Sequence, residues 1–189
     1  IKIGKKTLVE HQLDVLNSSV KSDEVIGVFG YSIEKIVKKI HGKLRIVENQ
    51  IYDKTNNSES LRLAVNNTDK KNILFFHGDL YFNDKTFLDL NYKKSFLLVD
   101  RKGMIKSKEI GVTIQNNKAT ILAFITGKEL RILKNILSKL NGSQKKLLSF
   151  EIINNMISMG ANFECYEPKE MSVIEIDCIK DLKNEDFNI

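Results

Sequence analysis

The chain has 189 residues, enough for one sizeable domain with a hydrophobic core and too few for two. Its 42% hydrophobic and 29% charged residues are ordinary for a soluble globular protein. No apolar run approaches the roughly 18 residues of a membrane-spanning helix, and the first residues lack the apolar core of a signal peptide. The composition therefore excludes the membrane-spanning class.

The net charge is +6, but the lysines are scattered in pairs and are not interleaved with aromatic residues. This pattern is typical of solvated faces, so we predict neither nucleic acid nor a membrane as a partner. The two cysteines, Cys165 and Cys178, are isolated in the sequence. Isolated cysteines favour a reducing, cytoplasmic location and argue against a zinc site.

The first fifty residues alternate between helical and strand patterns. A capping-box pattern at Thr7 and Glu10 begins a predicted helix over residues 7–16. A buried strand over 25–29 ends at Gly30 and Tyr31, a helix over 33–40 follows with Ser32 as a candidate N-cap, and 44–47 form the next strand. This strand–helix–strand order predicts a βαβ unit of a parallel sheet.

A polar stretch, residues 48–60, follows the strand over 44–47 and leads into a short helix near Leu61. Its Thr, Asn and Ser side chains are typical helix caps. A helix N-terminus is also an anion site, so a phosphate-binding role is equally open.

Residues 73–76 are apolar, too few for an independent helix, and predict a strand buried on both faces. His77, Gly78 and Asp79 follow at its carboxyl end, where ligands bind in open α/β sheets. Gly78 would let a ligand approach, and Asp79 could hold a hard cation. Alternatively, Asp79 only turns the chain.

The second half of the chain contains further regular elements, whose apolar stripes are typical of a core. The predicted elements are a short helix over 83–90, a strand over 95–100, a hairpin of 110–114 and 118–126 across 115–117, helices over 127–140 and 144–159, and a strand over 173–177.

Asp79 and Asp177 each lie at or just past a strand's carboxyl end, so they would converge if those strands are neighbours. Mg²⁺ is commonly held by one or two carboxylates together with substrate phosphates. Attack on an α-phosphate requires positioning and charge neutralisation but no covalent residue. We interpret His11, His41 and His77 as structural or solvated side chains, although His77 could contact a phosphate.

Four features, one of which is a pair of acidic motifs, resemble the nucleotidyltransferases with a GT-A-like fold. The resemblance is strongest to phosphocholine and phosphonate cytidylyltransferases and to sugar-1-phosphate nucleotidyltransferases. The most specific is Asn49-x-x-Tyr52-x-x-Thr-Asn-Asn-x-x-Ser-Leu over residues 49–61. The others are residues 3–13, which contain a Gly-Lys pair before a helix, residues 28–31, which end in Gly-Tyr, and the acidic motifs at 78–79 and 175–177.

This resemblance implies an α/β fold: a mainly parallel, Rossmann-like mixed sheet flanked by helices, with a small β-hairpin insertion. It implies transfer of a nucleoside monophosphate from an NTP to a phosphorylated or phosphonate acceptor, with release of pyrophosphate. The implied roles are metal binding and catalysis by Asp79 and Asp177 with Mg²⁺ as cofactor, nucleotide binding by Gly30, Tyr31 and Gly78, and substrate contacts by Tyr52, Asn56, Asn57, Ser60 and Glu175.

Members of this family begin with a strand, a Gly-rich loop and a Pro-Lys pair, which should precede Ile1. We therefore expect residues 1–189 to form a single nucleotidyltransferase domain that lacks its first strand and Gly-rich loop. The chain is a fragment, an N-terminal stretch has been left out, or this member is degraded; retention of both acidic motifs favours the first two.

Three functional hypotheses remain open. The first is a cytidylyltransferase that uses CTP and a small phosphorylated alcohol or phosphonate. The second is a sugar-1-phosphate nucleotidyltransferase, which the short segment between Asp100 and Gly127 disfavours. The third is a non-catalytic nucleotide-binding domain, since fold alone does not determine function. A homodimer is one possible assembly.

Overall fold

The computed structural model describes residues 1–40, 42–99, 112–114, 117–176 and 178, with the backbone alone for 112–114 and 117–121. The chain forms two compact units. The first unit contains Ile1–Asp23, Phe76–Leu90 and the described residues from Glu167 onward, and the second contains Glu24–Phe75 and the described residues of Asn91–Tyr166.

The described strands in chain order are β1 (Lys2–Ile3), β2 (Lys6–Thr7), β3 (Ile26–Phe29), β4 (Arg45–Glu48), β5 (Asn72–Phe76), β6 (Leu80–Phe82), β7 (Phe96–Val99), β8 (Val112–Ile114), β9 (Asn117–Thr126), β10 (Glu164–Tyr166) and β11 (Val173–Glu175). The α-helices are α1 (Leu8–Val15), α2 (Ile33–Ile40), α3 (Asn57–Asn66), α4 (Gly127–Ser138) and α5 (Ser149–Ser158). A π-helical turn, Leu16–Val20, continues α1, and 3₁₀ helices span Asp84–Phe87 and Gly142–Lys146.

A mixed sheet with the order β10-β7-β9-β5 forms the centre of the second unit, and β8 pairs with β9. Strand β10 runs parallel to β7, whereas β9 runs antiparallel to both β7 and β8. The predicted hairpin is therefore present as β8–β9. A separate parallel ladder joins β3 to β4, from the Ile26–Arg45 pair to the Phe29–Glu48 pair, as the βαβ pattern predicts. The predicted mixed α/β fold is confirmed.

Helices α3, α4 and α5 bury their apolar stripes in the main core of the second unit. Leu97 and Ile125 of the sheet and Leu133, Ile152 and Met156 of the helices are each at most 1% exposed. The apolar spacing that predicted these helices is thus the spacing of core side chains. Within the described residues, no helix is long and apolar enough to cross a membrane.

The first unit has a smaller core around Ile3, Leu8 and Ile176, with Tyr81 packed against it. Strands β6 and β11 form an antiparallel pair in this unit. Helix α1 begins as predicted, because Thr7 Oγ1 accepts a hydrogen bond from Glu10 N while the Glu10 carboxylate accepts one from Thr7 N.

The single helix predicted over residues 144–159 is wrong. Leu147 and Leu148 are extended, with ψ values of 147° and 155°, so the 3₁₀ helix and α5 are separate elements. Glu151 fixes the break because its carboxylate accepts a hydrogen bond from Leu148 N at 2.7 Å. Apolar periodicity does not reveal this break, since leucine fits either conformation.

The helix predicted over residues 83–90 is shorter than expected. Asn83 Oδ1 accepts a hydrogen bond from Thr86 N and starts one 3₁₀ turn. Leu88 is already extended, and Asp89 has a left-handed φ of 58°, so the turn cannot continue as a helix.

Candidate functional site

Asp79 lies in the short connection between β5 and β6, as the sequence predicts, and its side chain is partly buried. Its Oδ1 atom is fully buried and has no hydrogen-bond partner within the part of the chain that the structure describes. A buried carboxylate oxygen without a donor is costly, and a metal cation is one partner that would compensate it.

Strand β11 reaches the Asp79 turn because it runs antiparallel to β6 and pairs Glu175 with Leu80. Directly beyond that pair, the N–H of Ile176 donates to the carbonyl oxygen of Asp79 at 2.9 Å. Glu175 is thus brought to the turn, with its side chain exposed. Asp177, the second predicted metal ligand, lies outside the described residues.

The residues before Asp79 fit a ligand-binding turn. A Cβ atom built on Gly78 would meet no atom of the described residues within 4 Å, so these residues leave open space beside this glycine. Burial of the imidazole lowers the pKa of His77 below its ordinary value, and the neighbouring Asp79 carboxylate partly offsets this effect. His77 is therefore neutral near pH 7, which agrees with the interpretation of a packed histidine at a strand end.

The donor set of this turn is compatible with Mg²⁺. No group of three or more His, Cys, Asp or Glu side chains is arranged to hold a metal among the residues described. A magnesium ion needs no such cage, because one or two carboxylates and substrate phosphates commonly suffice. Asp79, whose Oδ1 has no partner among the residues that the structure describes, supplies one such carboxylate.

Gln12, for which the sequence predicts no role, lies at the same turn. Its side chain is 5% exposed, and its Nε2 atom donates to the carbonyl oxygens of Gly78 and Leu80. The sequence carries one signal for this residue: a polar side chain in the apolar stripe of α1.

In the second unit, Asn49 organises the polar stretch that follows β4. It is 3% exposed, and its Nδ2 atom lies 3.2 Å from Thr55 Oγ1 and 3.4 Å from Ser60 Oγ. Its Oδ1 accepts a hydrogen bond from Ile51 N at 3.2 Å. The spacing of the predicted Asn-x-x-Tyr-x-x-Thr motif thus reflects a loop closed on one buried amide.

Asn56 and Asn57 begin helix α3 and connect it to the segment before α5. Asn56 is the N-cap, and its backbone N–H donates to the carbonyl oxygen of Lys145 at 2.9 Å. Asn57 Oδ1 accepts a hydrogen bond from Ser149 N at 2.7 Å. Both residues therefore have structural contacts, and their predicted contacts with a substrate stay predictions.

Glu59 on α3 is a buried carboxylate that forms ion pairs with two basic side chains. Both of its oxygens accept from the Arg62 guanidinium at 2.7 Å, and Lys145 Nζ lies 3.4 Å from Oε1. The hydrogen bonds from Arg62 hold the pKa of Glu59 below its ordinary value despite burial. The two cations and one carboxylate of this cluster carry one net positive charge. Asn56 is linked to the cluster through its backbone bond to Lys145.

Gly30, Tyr31 and Tyr52 lie together at the carboxyl ends of β3 and β4. A Cβ atom on Gly30 would lie 2.4 Å from Cβ and Cγ of Tyr52, so only glycine allows this approach. The Tyr31 and Tyr52 rings meet edge to face with centroids 6.3 Å apart, and they are 76% and 46% exposed. These exposed rings could contact a planar or cationic ligand group.

The predicted site residues therefore fall into sets that the structure brings together within each unit. In the first unit, Gly78, Asp79 and Glu175 meet through the β6–β11 ladder. In the second, Gly30, Tyr31 and Tyr52 form one cluster, while Asn56 and Asn57 belong to the start of α3 and Ser60 to the hydrogen bonds of Asn49.

Solved structures share this fold at low sequence identity. A CTP:phosphocholine cytidylyltransferase from Streptococcus pneumoniae is 19% identical with a TM-score of 0.70, over 96% of this chain and 84% of that one. An inositol-1-phosphate CTP transferase from T. maritima is 17% identical with a TM-score of 0.67, over 97% of this chain and 82% of that one. A 4-diphosphocytidyl-2C-methyl-D-erythritol synthase from Anaerococcus prevotii is 15% identical with a TM-score of 0.70, over 96% of this chain and 88% of that one.

These likenesses confirm, at the level of the fold, the resemblance to nucleotidyltransferases that the motifs indicated. A search by sequence among curated proteins found no match. A family model described as "Domain of unknown function (DUF6564)" matches residues 2–189, and the chain belongs to this family.

Proposed function

We propose that this protein is a Mg²⁺-dependent nucleotidyltransferase that transfers CMP from CTP to a small phosphorylated alcohol or phosphonate. The observation that carries the proposal is the buried Oδ1 of Asp79, which has no hydrogen-bond partner among the described residues, on a fold that cytidylyltransferases share. In this reaction an acceptor oxygen attacks the α-phosphorus of the nucleotide. The bond from the α-phosphorus to the bridging oxygen breaks, and pyrophosphate leaves with its electron pair.

Asp79 and Asp177 are the proposed metal ligands. When bound, Mg²⁺ supplies neutralisation of the charge on the phosphates. Asp79 is held for this role by its backbone, because Ile176 N donates to its carbonyl oxygen. Open space beside Gly78 supports a role for this glycine in nucleotide binding, since a larger residue would occupy the space that a phosphate needs.

Tyr31 and Tyr52 are proposed to contact the nucleotide and the acceptor respectively, and Gly30 is proposed to set their separation. The exposure of both rings supports this assignment, because large aromatic side chains at a solvent-facing strand end suit stacking. The steric contact between Gly30 and Tyr52 supports an indirect role for Gly30, through the position of the Tyr52 ring.

Asn56, Asn57 and Ser60 are proposed substrate residues of the second unit, and Glu175 is a proposed substrate residue of the first unit. The dipole of α3, a ten-residue helix, favours an anionic group near its N-terminus, and the cationic excess of Arg62 and Lys145 over Glu59 acts in the same direction. Both features support an acceptor that carries a phosphate or phosphonate. A sugar 1-phosphate also carries this group, and one similar solved structure is a nucleoside-diphosphate-sugar pyrophosphorylase from Vibrio cholerae.

The test is pyrophosphate release with CTP, UTP, GTP, ATP or dTTP, each with Mg²⁺ and pooled acceptors. The pools contain phosphocholine, 2-aminoethylphosphonate, glycerol phosphates and sugar 1-phosphates. We expect release with CTP and one small acceptor. Release only with a sugar 1-phosphate would favour a sugar nucleotidyltransferase, and NTP binding without release from any pair would favour a non-catalytic domain.

Asp84→Asn provides a matched control for Asp79→Asn, because Asp84 is exposed, lies five positions along the chain and belongs to the same unit. We expect Asp79→Asn to lower kcat by about 10²-fold or more and Asp84→Asn to leave it unchanged. Near-normal turnover by a folded Asp79→Asn protein would rule out the metal assignment.

A further inference from the structure

The buried face of α1 contains one polar side chain, that of Gln12, at a position where the helical pattern predicts an apolar residue. The helix buries Leu8, Gln12, Leu13 and Val15, and Gln12 is 5% exposed. A buried amide that found no hydrogen-bond partner would cost more than an apolar residue of similar size. The contacts of Gln12 therefore indicate what the residue does.

Gln12 uses its amide group to bind the backbone on both sides of Asp79. Its Nε2 atom lies 3.2 Å from the carbonyl oxygen of Gly78 and 2.7 Å from that of Leu80. The carbonyl oxygen between them, that of Asp79, accepts from Ile176 N at 2.9 Å. Three successive carbonyl groups are thus held, two by α1 and one by the chain beyond β11.

The bonds to the carbonyl oxygens of Gly78 and Asp79 constrain the two peptide groups that flank the Asp79 Cα atom. The bond to the carbonyl oxygen of Leu80 holds the next peptide group. Together they constrain the direction in which the Asp79 side chain leaves the backbone. An aspartate side chain has two rotatable bonds, and the backbone dihedral angles restrict the rotamers that its carboxylate can adopt. No described donor holds Oδ1 directly. The described hydrogen bonds therefore constrain the Asp79 carboxylate through its backbone. Besides the three bonds above, Leu80 N donates to the carbonyl oxygen of His77 at 3.3 Å and closes the turn.

We propose that Gln12 is a positioning residue that orients the Asp79 carboxylate for metal binding, an inference that depends on the proposed function. Mg²⁺ requires nearly ideal octahedral geometry, so a small displacement of one ligand weakens its binding. Residues that orient metal ligands typically contribute about 10- to 100-fold to metal affinity. Gln12 would contribute in this way without contacting metal or substrate.

The experiment measures Mn²⁺ binding to the full chain by electron paramagnetic resonance, with and without CTP, for the wild type, Gln12→Met and Asp79→Asn. Methionine keeps the length of glutamine and removes both donors. We expect Gln12→Met to bind Mn²⁺ about 10- to 100-fold more weakly than the wild type. Thermal unfolding of each variant is recorded in parallel.

Asn83→Ala is the matched control. Asn83 Nδ2 donates to the carbonyl oxygen of Glu170 at 2.9 Å, an amide-to-backbone bond in the same unit beyond the other end of β6. We expect this variant to lose stability while it keeps its Mn²⁺ affinity. If Gln12→Met does not fold, Gln12→Asn retains the amide on a side chain one methylene shorter, and we expect weakened Mn²⁺ binding from it as well.

The outcomes separate this inference from the proposed function. Wild-type Mn²⁺ affinity in a folded Gln12 variant, or an equal loss in Asn83→Ala, would overturn the positioning role. A folded wild type that binds no Mn²⁺, even with CTP, would overturn both the positioning role and the metal assignment. Weaker Mn²⁺ binding by Gln12→Met, without pyrophosphate release from any wild-type mixture, would support the positioning role and refute nucleotidyl transfer.

Discussion

Replacing Asp79 with asparagine should stabilise the metal-free protein while it destroys metal binding. The substitution keeps the shape of the side chain but removes the charge from a group whose Oδ1 is buried without a hydrogen-bond partner in the described part of the chain. An unsatisfied buried polar group costs about 1–3 kcal/mol, and more when it is charged. Removal of the charge should therefore recover about 1 kcal/mol of unfolding free energy.

A change of this size is measurable by thermal unfolding. For a protein of this length, about 1 kcal/mol corresponds to an increase in Tm of roughly 2–4 °C. A ligand at about 100 times its dissociation constant adds about 2.7 kcal/mol to the free energy of unfolding. Mn²⁺ with CTP should therefore raise the Tm of the wild type above that of the metal-free wild type. The Asp79→Asn protein should start from a higher Tm and respond less to Mn²⁺.

Differential scanning calorimetry of the wild type, Asp79→Asn and the control Asp84→Asn, each with EDTA or with Mn²⁺ and CTP, tests both parts. A Tm of metal-free Asp79→Asn below that of the wild type would refute the argument from the unpaired oxygen. An equal response of Asp79→Asn and the wild type to Mn²⁺ would refute the metal-binding role separately.

Three further predictions concern the second unit. Gly30→Ala should lower stability by about 1–3 kcal/mol in urea unfolding, because the new Cβ would lie 2.4 Å from Tyr52; an unchanged midpoint would contradict this packing. Tyr92→Phe should leave Tm unchanged or raise it, because the Tyr92 hydroxyl is buried without a partner among the described residues, and a clear fall would indicate a bond. Hydrogen bonds from Arg62 lower the pKa of Glu59 from its ordinary value of 4.5. The stabilisation from Glu59 should therefore be complete above pH 4.5 and should be lost progressively as the pH falls through the lower, folded-state pKa. Glu59→Gln should cost about 2 kcal/mol at pH 7 and flatten the acid dependence of the urea midpoint; an unchanged dependence would exclude this pair as its cause.

Local patterns predicted the elements whose hydrogen bonds join residues close in sequence. The capping box of Thr7 and Glu10 is one such case, because both partners lie within one helical turn. The parallel ladder of β3 and β4 followed from a strand–helix–strand order with short connections. The break before α5 was missed, because the bond from Leu148 to Glu151 competes with a helical pattern that the apolar residues also satisfy.

The sequence alone determined that the chain has an α/β fold, where most of its helices and strands lie, and that Asp79 follows strand β5. These features depend on periodicity, composition and motifs, all of which are local along the chain. Only the tertiary structure decided that Gln12 and the backbone of Ile176 hold the Asp79 turn, and that Asn49 closes its loop through Thr55 and Ser60. Gln12 lies 66 positions before Gly78, and pairings over such distances are set by the register of packed elements, which no local pattern encodes.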